Sequence, residues 1–326
     1  MRVLLWFAAL ALCAQAEHRL HALGVMTKNW VAGAALMPSG LFVKRAGGEW
    51  INEGYRHPLI TGIAWLADNP GTLYLSAGDG VIRVDARGRW RVLTDETVTE
   101  LQDISAGAGG VLAFGHTAGF RVSENGGASW REISAGLPRR YGKAVKLDRT
   151  KRSRIVVGTE NGFYVSDNLG GEWRLAGAAG FQAMRVEQSP HEAAVWLAVT
   201  QKGGIFRSMD GGRTFEATAR DPAAGRNLYD IAFDPADARR VAVCGWGVGV
   251  LVSEDGGATW EARNRGLPRH DVWSVAFDPD KPGRLYASVH EEALYASEDA
   301  GKTWRVEGLP GSIMLRIAFV PAGGAR

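Results

Sequence analysis

The octapeptide Ser253-Glu-Asp-Gly-Gly-Ala-Thr-Trp260 decides the reading, because it is not alone. It recurs as Ser123-Glu-Asn-Gly-Gly-Ala-Ser-Trp130, as Ser166-Asp-Asn-Leu-Gly-Gly-Glu-Trp173, as Ser208-Met-Asp-Gly-Gly-Arg-Thr-Phe215 and as Ser297-Glu-Asp-Ala-Gly-Lys-Thr-Trp304. The shared pattern is Ser-x-Asp/Asn-x-Gly-x-(Thr/Ser/Glu)-aromatic. The repeating positions are Ser123, Asn125, Gly127 and Trp130; Ser166, Asn168, Gly170 and Trp173; Ser208, Asp210, Gly212 and Phe215; Ser253, Asp255, Gly257 and Trp260; and Ser297, Asp299, Gly301 and Trp304. Two worn copies come earlier, one keeping Asp85 and Trp90, the other Gly47 and Trp50.

The aromatic positions 50, 90, 130, 173, 215, 260 and 304 are separated by 40, 40, 43, 42, 45 and 44 residues. A period in the low forties, with short apolar runs and no sustained helical spacing, predicts one four-stranded propeller blade per repeat. The seventh repeat parses most plainly. Val272 to Phe277 is an apolar strand, Asp278 to Gly283 a turn, Leu285 to Val289 a second strand and Leu294 to Ala296 a third. The box turns the chain, and Thr303 to Val306 begins the fourth strand. Continuous apolar runs suit strands covered on both faces. The expected fold is therefore all-β: a seven-bladed propeller spanning residues 17–326, closed by a C-terminal inner strand in the first blade. Ser312 to Pro321 fits that closing strand, since its Ile-Ala-Phe repeats in Ile231-Ala-Phe233. The outer strands of the first blade are expected near Trp30–Leu36, Leu41–Val43 and Trp50, with Leu20–Met26 a rival for the inner place.

These motifs resemble the BNR or Asp-box propellers, and the resemblance covers the whole chain after its first 16 residues. It is specific for fold and weak for function: sialidases, xyloglucanases, sortilin-type receptors and photosystem II stability/assembly factors all carry such boxes. In character the chain is closest to the photosystem II stability/assembly-factor-like group (WD40/YVTN/BNR-like proteins). That resemblance implies a non-enzymatic scaffold that binds a partner polypeptide through an Arg-rich face. It also implies that the boxes lie away from the ligand face and act as folding staples. Their Asp and Ser groups suit hydrogen bonds to a turn's backbone, and the boxes lack the stepped oxygens and terminal Glu of a calcium loop. No metal or cofactor is expected.

Residues 1–16 read as a signal peptide: Arg2, an apolar Val3–Leu12, then Ala14-Gln15-Ala16 as a small-x-small cleavage site. The alternatives are lipidation at Cys13, which Leu12 disfavours, and an uncleaved anchor. The expected location is exported, periplasmic or secreted. After cleavage only Cys244 remains, so core packing must hold the chain without disulfides, and Cys244 reads as a buried structural thiol. The net charge of +3 argues for no nucleic-acid partner.

Two loop sets should share the functional face. The within-blade loops supply Asp79, His116, Glu160, Lys202, Trp246 and the cluster His290-Glu291-Glu292, the last reading as polar surface. The between-blade loops supply Arg56, His57, Arg220, Arg263 and Arg265, and three runs placed just before an inner strand: Arg139-Arg140-Tyr141, Arg226-Asn227-Leu228-Tyr229 and Arg269-His270-Asp271-Val272-Trp273. Arg139, Arg226 and Arg269 are read as sharing one repeat position at the channel mouth, with Tyr141, Tyr229 and Trp273 lining it. The candidate ligand-binding set is Arg139, Arg140, Tyr141, Arg226, Tyr229, Arg269, His270 and Trp273; no catalytic residue is assigned. Guanidinium forks suit carboxylates and the aromatics suit flat apolar contact. The bland alternative is solvated loop charge. A monomeric scaffold with a protein or peptide partner, such as a membrane-complex component, is the leading function. A sialidase- or xyloglucanase-like glycoside hydrolase, with a glycan ligand, is the alternative. Against it stand the absent Arg-Ile-Pro segment and the presence of one propeller where xyloglucanases pair two.

Overall fold

A computed structural model of the chain describes residues 18–27, 38–45, 47–219 and 222–322. The expected segment Trp30–Leu36, residues 1–17 and Arg220 lie outside the described residues. Among the described residues, antiparallel ladders group the strands into seven four-stranded units, each running from an inner strand outward. In the fifth and sixth the ladders join at a single pair, Gln201 with Asn227. The inner strands are Ile60–Leu66, Asp103–Ala106, Ala144–Leu147, Gln182–Gln188, Asn227–Phe233, Val272–Phe277 and Ser312–Pro321. Each touches the next in that order, and the last returns to the first, so the ring closes as a β-propeller.

Closure uses both ends of the chain. Ser312–Pro321 is the inner strand of blade 1, and it pairs with His18–Met26. Leu20–Met26 is therefore the second strand, settling the rival assignment in favour of the C-terminal segment. Ser39–Lys44 and Trp50–Asn52 follow outward. His21 sits in this seam, buried, its Nδ1 within 2.9 Å of the Arg19 carbonyl.

The boxes work through one repeated knot. In each, the Ser hydroxyl donates to the Asx side chain two residues on, at 2.9, 2.8, 2.7, 2.7 and 2.7 Å. The same oxygen accepts the amide of the Gly four residues on: Gly127, Gly170, Gly212, Gly257 and Gly301. The Asx oxygen in turn accepts the amide four residues beyond itself. Where the Asx is Asp and the later residue Thr, the Thr hydroxyl closes a further bond, as from Thr259 to Asp255 at 2.6 Å. The turn needs glycine for space as well as for φ. At Gly170, with φ +84, a Cβ would stand 2.4 Å from the Cβ of Ile133 on the preceding blade.

The box aromatics then join blades. The indoles of Trp130, Trp173 and Trp304 donate to the carbonyls of Leu93, Ile133 and Arg263, each on the blade before. Their burial is unequal. Trp304 and Phe215 are buried, whereas Trp130, Trp173 and Trp260 are half-buried. Of the worn copies, Trp90 is 51% exposed and meets Tyr55 edge-on. Arg263, expected on the functional face, belongs instead to this seam. It is buried, donating to the Ala300 carbonyl at 2.9 Å and pairing with Glu254 and Glu261. Cys244 is buried within the core shared by blades 6 and 7, and burial holds its thiol well above the ordinary value.

Two predictions follow from the seam. Trp304→Ala should cost about 3–5 kcal/mol in chemical denaturation, as large aromatic truncations in cores do. Trp90→Ala should cost less than about 1 kcal/mol, as surface changes do. Equal losses at the two sites would contradict the staple role. The second concerns acid. Burial raises the Asp255 carboxyl, but bonds from Thr259, Ser253 and the turn amides outweigh it and bring it down to about 2. A carboxyl depressed on folding adds stability that is full above its unfolded value near 4 and is lost as pH falls toward 2. Denaturation midpoints should decline through that window, and Asp255→Asn, which copies the neutral boxes at Asn125 and Asn168, should flatten part of the decline.

Candidate functional site at the channel mouth

Inner strands face the axis with one edge that has no ladder partner, so side chains must satisfy it. Asp103, Asp230 and Ser274 stand at one ladder position and each serves the next strand round the ring. Asp103 accepts the Val145 amide at 3.0 Å, Asp230 the Val275 amide at 3.2 Å, and Ser274 the Ile317 amide at 3.0 Å. Ser274 also donates its hydroxyl to Asp230.

Cations at the same depth balance these carboxylates. Arg185 reaches Asp103 at 2.6 Å, Glu187 at 2.7 Å and Asp230 at 3.7 Å. Arg316 pairs with Asp230 and, at 3.3 Å, with Glu187, which also holds Lys146. Burial pushes the Glu187 carboxyl up, but Lys146, Arg185 and Arg316 together bring it down to about 2. Burial likewise opposes the Arg185 charge, and Asp103, Glu187 and Asp230 more than restore it. The network lies across the channel and separates its upper mouth from its lower half.

Immediately above the network the inner strands bulge. The three residues of Ile60 to Gly62, Ala183 to Arg185, Leu228 to Asp230, Val272 to Ser274 and Met314 to Arg316 each stand opposite two consecutive partners, so Thr61, Met184, Tyr229, Trp273 and Leu315 are extra residues at one equivalent position. A bulge bends its strand and re-aims a side chain. In blades 6 and 7 the re-aimed residues are aromatic, and they stack: Tyr229 and Trp273 lie 4.7 Å apart at 14°. Trp246 meets Trp273 edge-on at 5.7 Å and His290 at 5.0 Å. The Trp273 indole donates to His290 Nδ1 at 2.9 Å. Because indole only donates, His290 must present a lone pair at Nδ1 and keep its proton on Nε2. Asp271 ties the loops together, its carboxylate accepting the Gly247 amide and its carbonyl the His290 amide, both at 2.9 Å.

The predicted residues divide between two parts of the rim. Tyr229 and Trp273 form the cluster. Arg226 and Arg269 are exposed beside it: a methyl placed on Gly247 would stand 3.7 Å from Arg226 Nη1, and Arg269 pairs with Glu292 at 3.4 Å. His270 is exposed and its carbonyl accepts the Gly249 amide. Arg139 and Arg140 are exposed, and Tyr141 half-buried, at the junction of blades 3 and 4. Burial, aided by Glu100 and Glu160, raises the Tyr141 phenol.

The shared repeat position read for Arg139, Arg226 and Arg269 needs correction. The ladders make Ala144 equivalent to Asp230, hence Lys143 equivalent to Tyr229 and Trp273. Arg139 and Arg269 do correspond, but Arg226 is offset by one residue, and Tyr141 precedes the aromatic position by two. Lys143 takes that position and donates to Gln102 on the neighbouring blade at 2.8 Å. Trp246, His290 and Asp271 were placed on the functional face by the sequence but not in the candidate ligand-binding set. The available signal was Trp246, a large aromatic at the loop end of an otherwise apolar strand.

No family model matches the chain, and no curated protein does. Solved structures do. The chain is similar to the GH74 enzyme of Niastella koreensis (15% identity, 90% of this chain and 54% of that one, TM-score 0.71) and the GH74 xyloglucanase of Xanthomonas campestris (19%, 76% and 45%, TM-score 0.63). It is also similar to YCF48 from Cyanidioschyzon merolae (18% identity, 76% of this chain and 84% of that one, TM-score 0.58) and to YCF48 bound to D1 peptide (17%, 77% and 84%, TM-score 0.58). The chain spans about half the length of the GH74 enzymes it matches.

Removing the central guanidinium tests the network beneath the mouth. Arg185→Met should cost about 3–5 kcal/mol, because it leaves buried carboxylates without their cation. A variant as stable as the parent in urea would show that the network contributes nothing to closure. With its ring of inner strands and these neighbours in view, the chain is by fold a β-propeller.

Proposed function

We propose that the chain is an exported, non-enzymatic binding scaffold that takes a segment of a partner polypeptide across its channel mouth. The observation that carries this reading is the cluster of Tyr229, Trp246, Trp273 and His290, assembled from both loop sets of two adjacent blades. Flat rings set on bulges offer apolar area that is already ordered, so a peptide meeting them loses little side-chain entropy from the scaffold. Arg226 and Arg269 flank the rings and supply donors for carboxylates. The binding partner is thus an acidic polypeptide segment with an apolar or aromatic anchor. The fold shared with YCF48 bound to D1 peptide supports a peptide occupant. The apolar segment Val3–Leu12 supports export to the periplasm or beyond.

Stacked Trp rings also suit the faces of sugars, and the GH74 neighbours keep a glycoside hydrolase as the second reading. One experiment separates the two. Acidic and neutral peptides are titrated against the parent, Trp273→Ala and the double variant Arg226→Ala/Arg269→Ala at low and high salt, while a glucan panel is assayed for released reducing sugar. The expected result is selective binding of acidic peptides, weakened by salt. Each Arg should contribute about 1–3 kcal/mol, as charge-assisted contacts do. Binding indifferent to all three substitutions would place the site elsewhere. Sugar release lost in Glu291→Gln or Glu292→Gln would replace the scaffold with the hydrolase.

A further inference from the structure

The lower half of the channel differs from the mouth in every respect. Beneath the ion network it widens into a cavity of 630 Å3, within the roughly 300–1,000 Å3 range of small-molecule pockets. Its wall is split between blades. On four consecutive blades, one ladder position holds alanine: Ala232, Ala276, Ala318 and Ala64. The residue after each is a large aromatic, Phe233, Phe277, Phe319 and Trp65, which packs against the cores between blades and also lines the cavity. Small side chains alternating with large ones make the apolar half of the cavity wall.

The other three blades break the pattern. At the alanine position they carry Ser105, Lys146 and Glu187, with Arg149 beyond. The charged groups lining the cavity inside its rim are Lys146, Arg149, Arg185 and Arg316 against Glu187. Asp103 and Asp230 engage Arg185 and Arg316 but do not line it. At the rim His18 is held by Asp280 at 3.0 Å. Two arginines on this side keep unspent donors among the described residues. Arg316 Nε is buried without a hydrogen-bond partner, and exposed Arg149 uses only its Nε side-chain donor, toward the Ser189 carbonyl at 3.1 Å.

We propose that this cavity is a second binding site, separate from the peptide face, for a small amphipathic anion. The ligand class is an aromatic or branched apolar body bearing one carboxylate or sulfonate. Its body lies against the apolar wall of alanines and aromatic rings, and its charge faces Lys146, Arg149 and Arg316. Neither half alone specifies this class. The apolar half gives no reason for charge, and the cationic half gives no reason for a wall of alanines and aromatic rings.

The probe is 8-anilinonaphthalene-1-sulfonate, with N-phenyl-1-naphthylamine as nearly the same body without the anion. The expected result is saturable fluorescence at one site on the folded protein, with the neutral amine at least about tenfold weaker, as loss of a charge-assisted contact implies. Ala232→Leu and Ala318→Leu, which fill the chamber, should each weaken the sulfonate by about tenfold or more. Arg149→Ala, a change at an exposed residue that leaves the core intact, should weaken the sulfonate and not the amine. Trp273→Ala, at the opposite end, should leave both unchanged. The proposal fails if the sulfonate does not bind, if the neutral amine binds as tightly, if Arg149→Ala leaves the sulfonate's affinity intact, or if Trp273→Ala abolishes binding. Should the filled variants not fold, Arg149→Ala alone decides. Because the readout is independent of peptide binding, this site and the channel-mouth reading stand or fall separately.

Discussion

An inner propeller strand has a ladder on one edge and open space on the other. Backbone groups on that open edge cannot be left dry and unpaired without cost. Here side chains of one strand satisfy the backbone of the next: Asp103 for Val145, Asp230 for Val275, Ser274 for Ile317, and Ser105 for Leu147. The ring is thereby linked strand to strand at its narrowest point. Once Asp103 and Asp230 are drawn in for this purpose, their charge needs Arg185 and Arg316, and those need Glu187. The ion network is a consequence of the open inner edge.

The network joins side chains of blades 1, 3, 5 and 6 across the axis. Above it, bulges at one repeated position set side chains into the mouth, and blades 6 and 7 fill that position with Tyr229 and Trp273. Below it, alanines on four blades open a chamber. In both places the informative residues are those where one blade departs from the others. The Ser–Asx–Gly knots are nearly alike in five blades and build the wheel; Trp246, His290, Lys146 and Arg149 are particular to their blades and give each face its chemistry.

The outer rim obeys a different economy. Each box is a knot closed within a few residues, and its aromatic then reaches one blade back. Local closure and neighbour-to-neighbour packing let blades tolerate a missing box, as blades 1 and 2 do with only remnants at Trp50 and Trp90. What those blades retain is the ladder, and in blade 1 that ladder spans both ends of the described chain.

The chain's sequence alone did not assign the second strand of the first blade, His18–Met26, but it determined the period, the four-stranded pattern of the repeat, the turn made by each box and the C-terminal strand that closes the ring. These depend on contacts over a few residues or on a pattern repeated along the chain, and such signals survive in one dimension. Tertiary structure alone decided which residues meet at the axis. Arg185 finds Asp103 across 82 residues, and Arg316 finds Asp230 across 86. It also decided that Tyr229 and Trp273, not Tyr141, share a position. A bulge adds one residue to a strand without altering its apolar look, so counting back from a loop misplaces everything beyond it by one or two. The boxes could be read because their partners are written beside them; the mouth and the chamber could not, because their partners are brought together only when the ring closes.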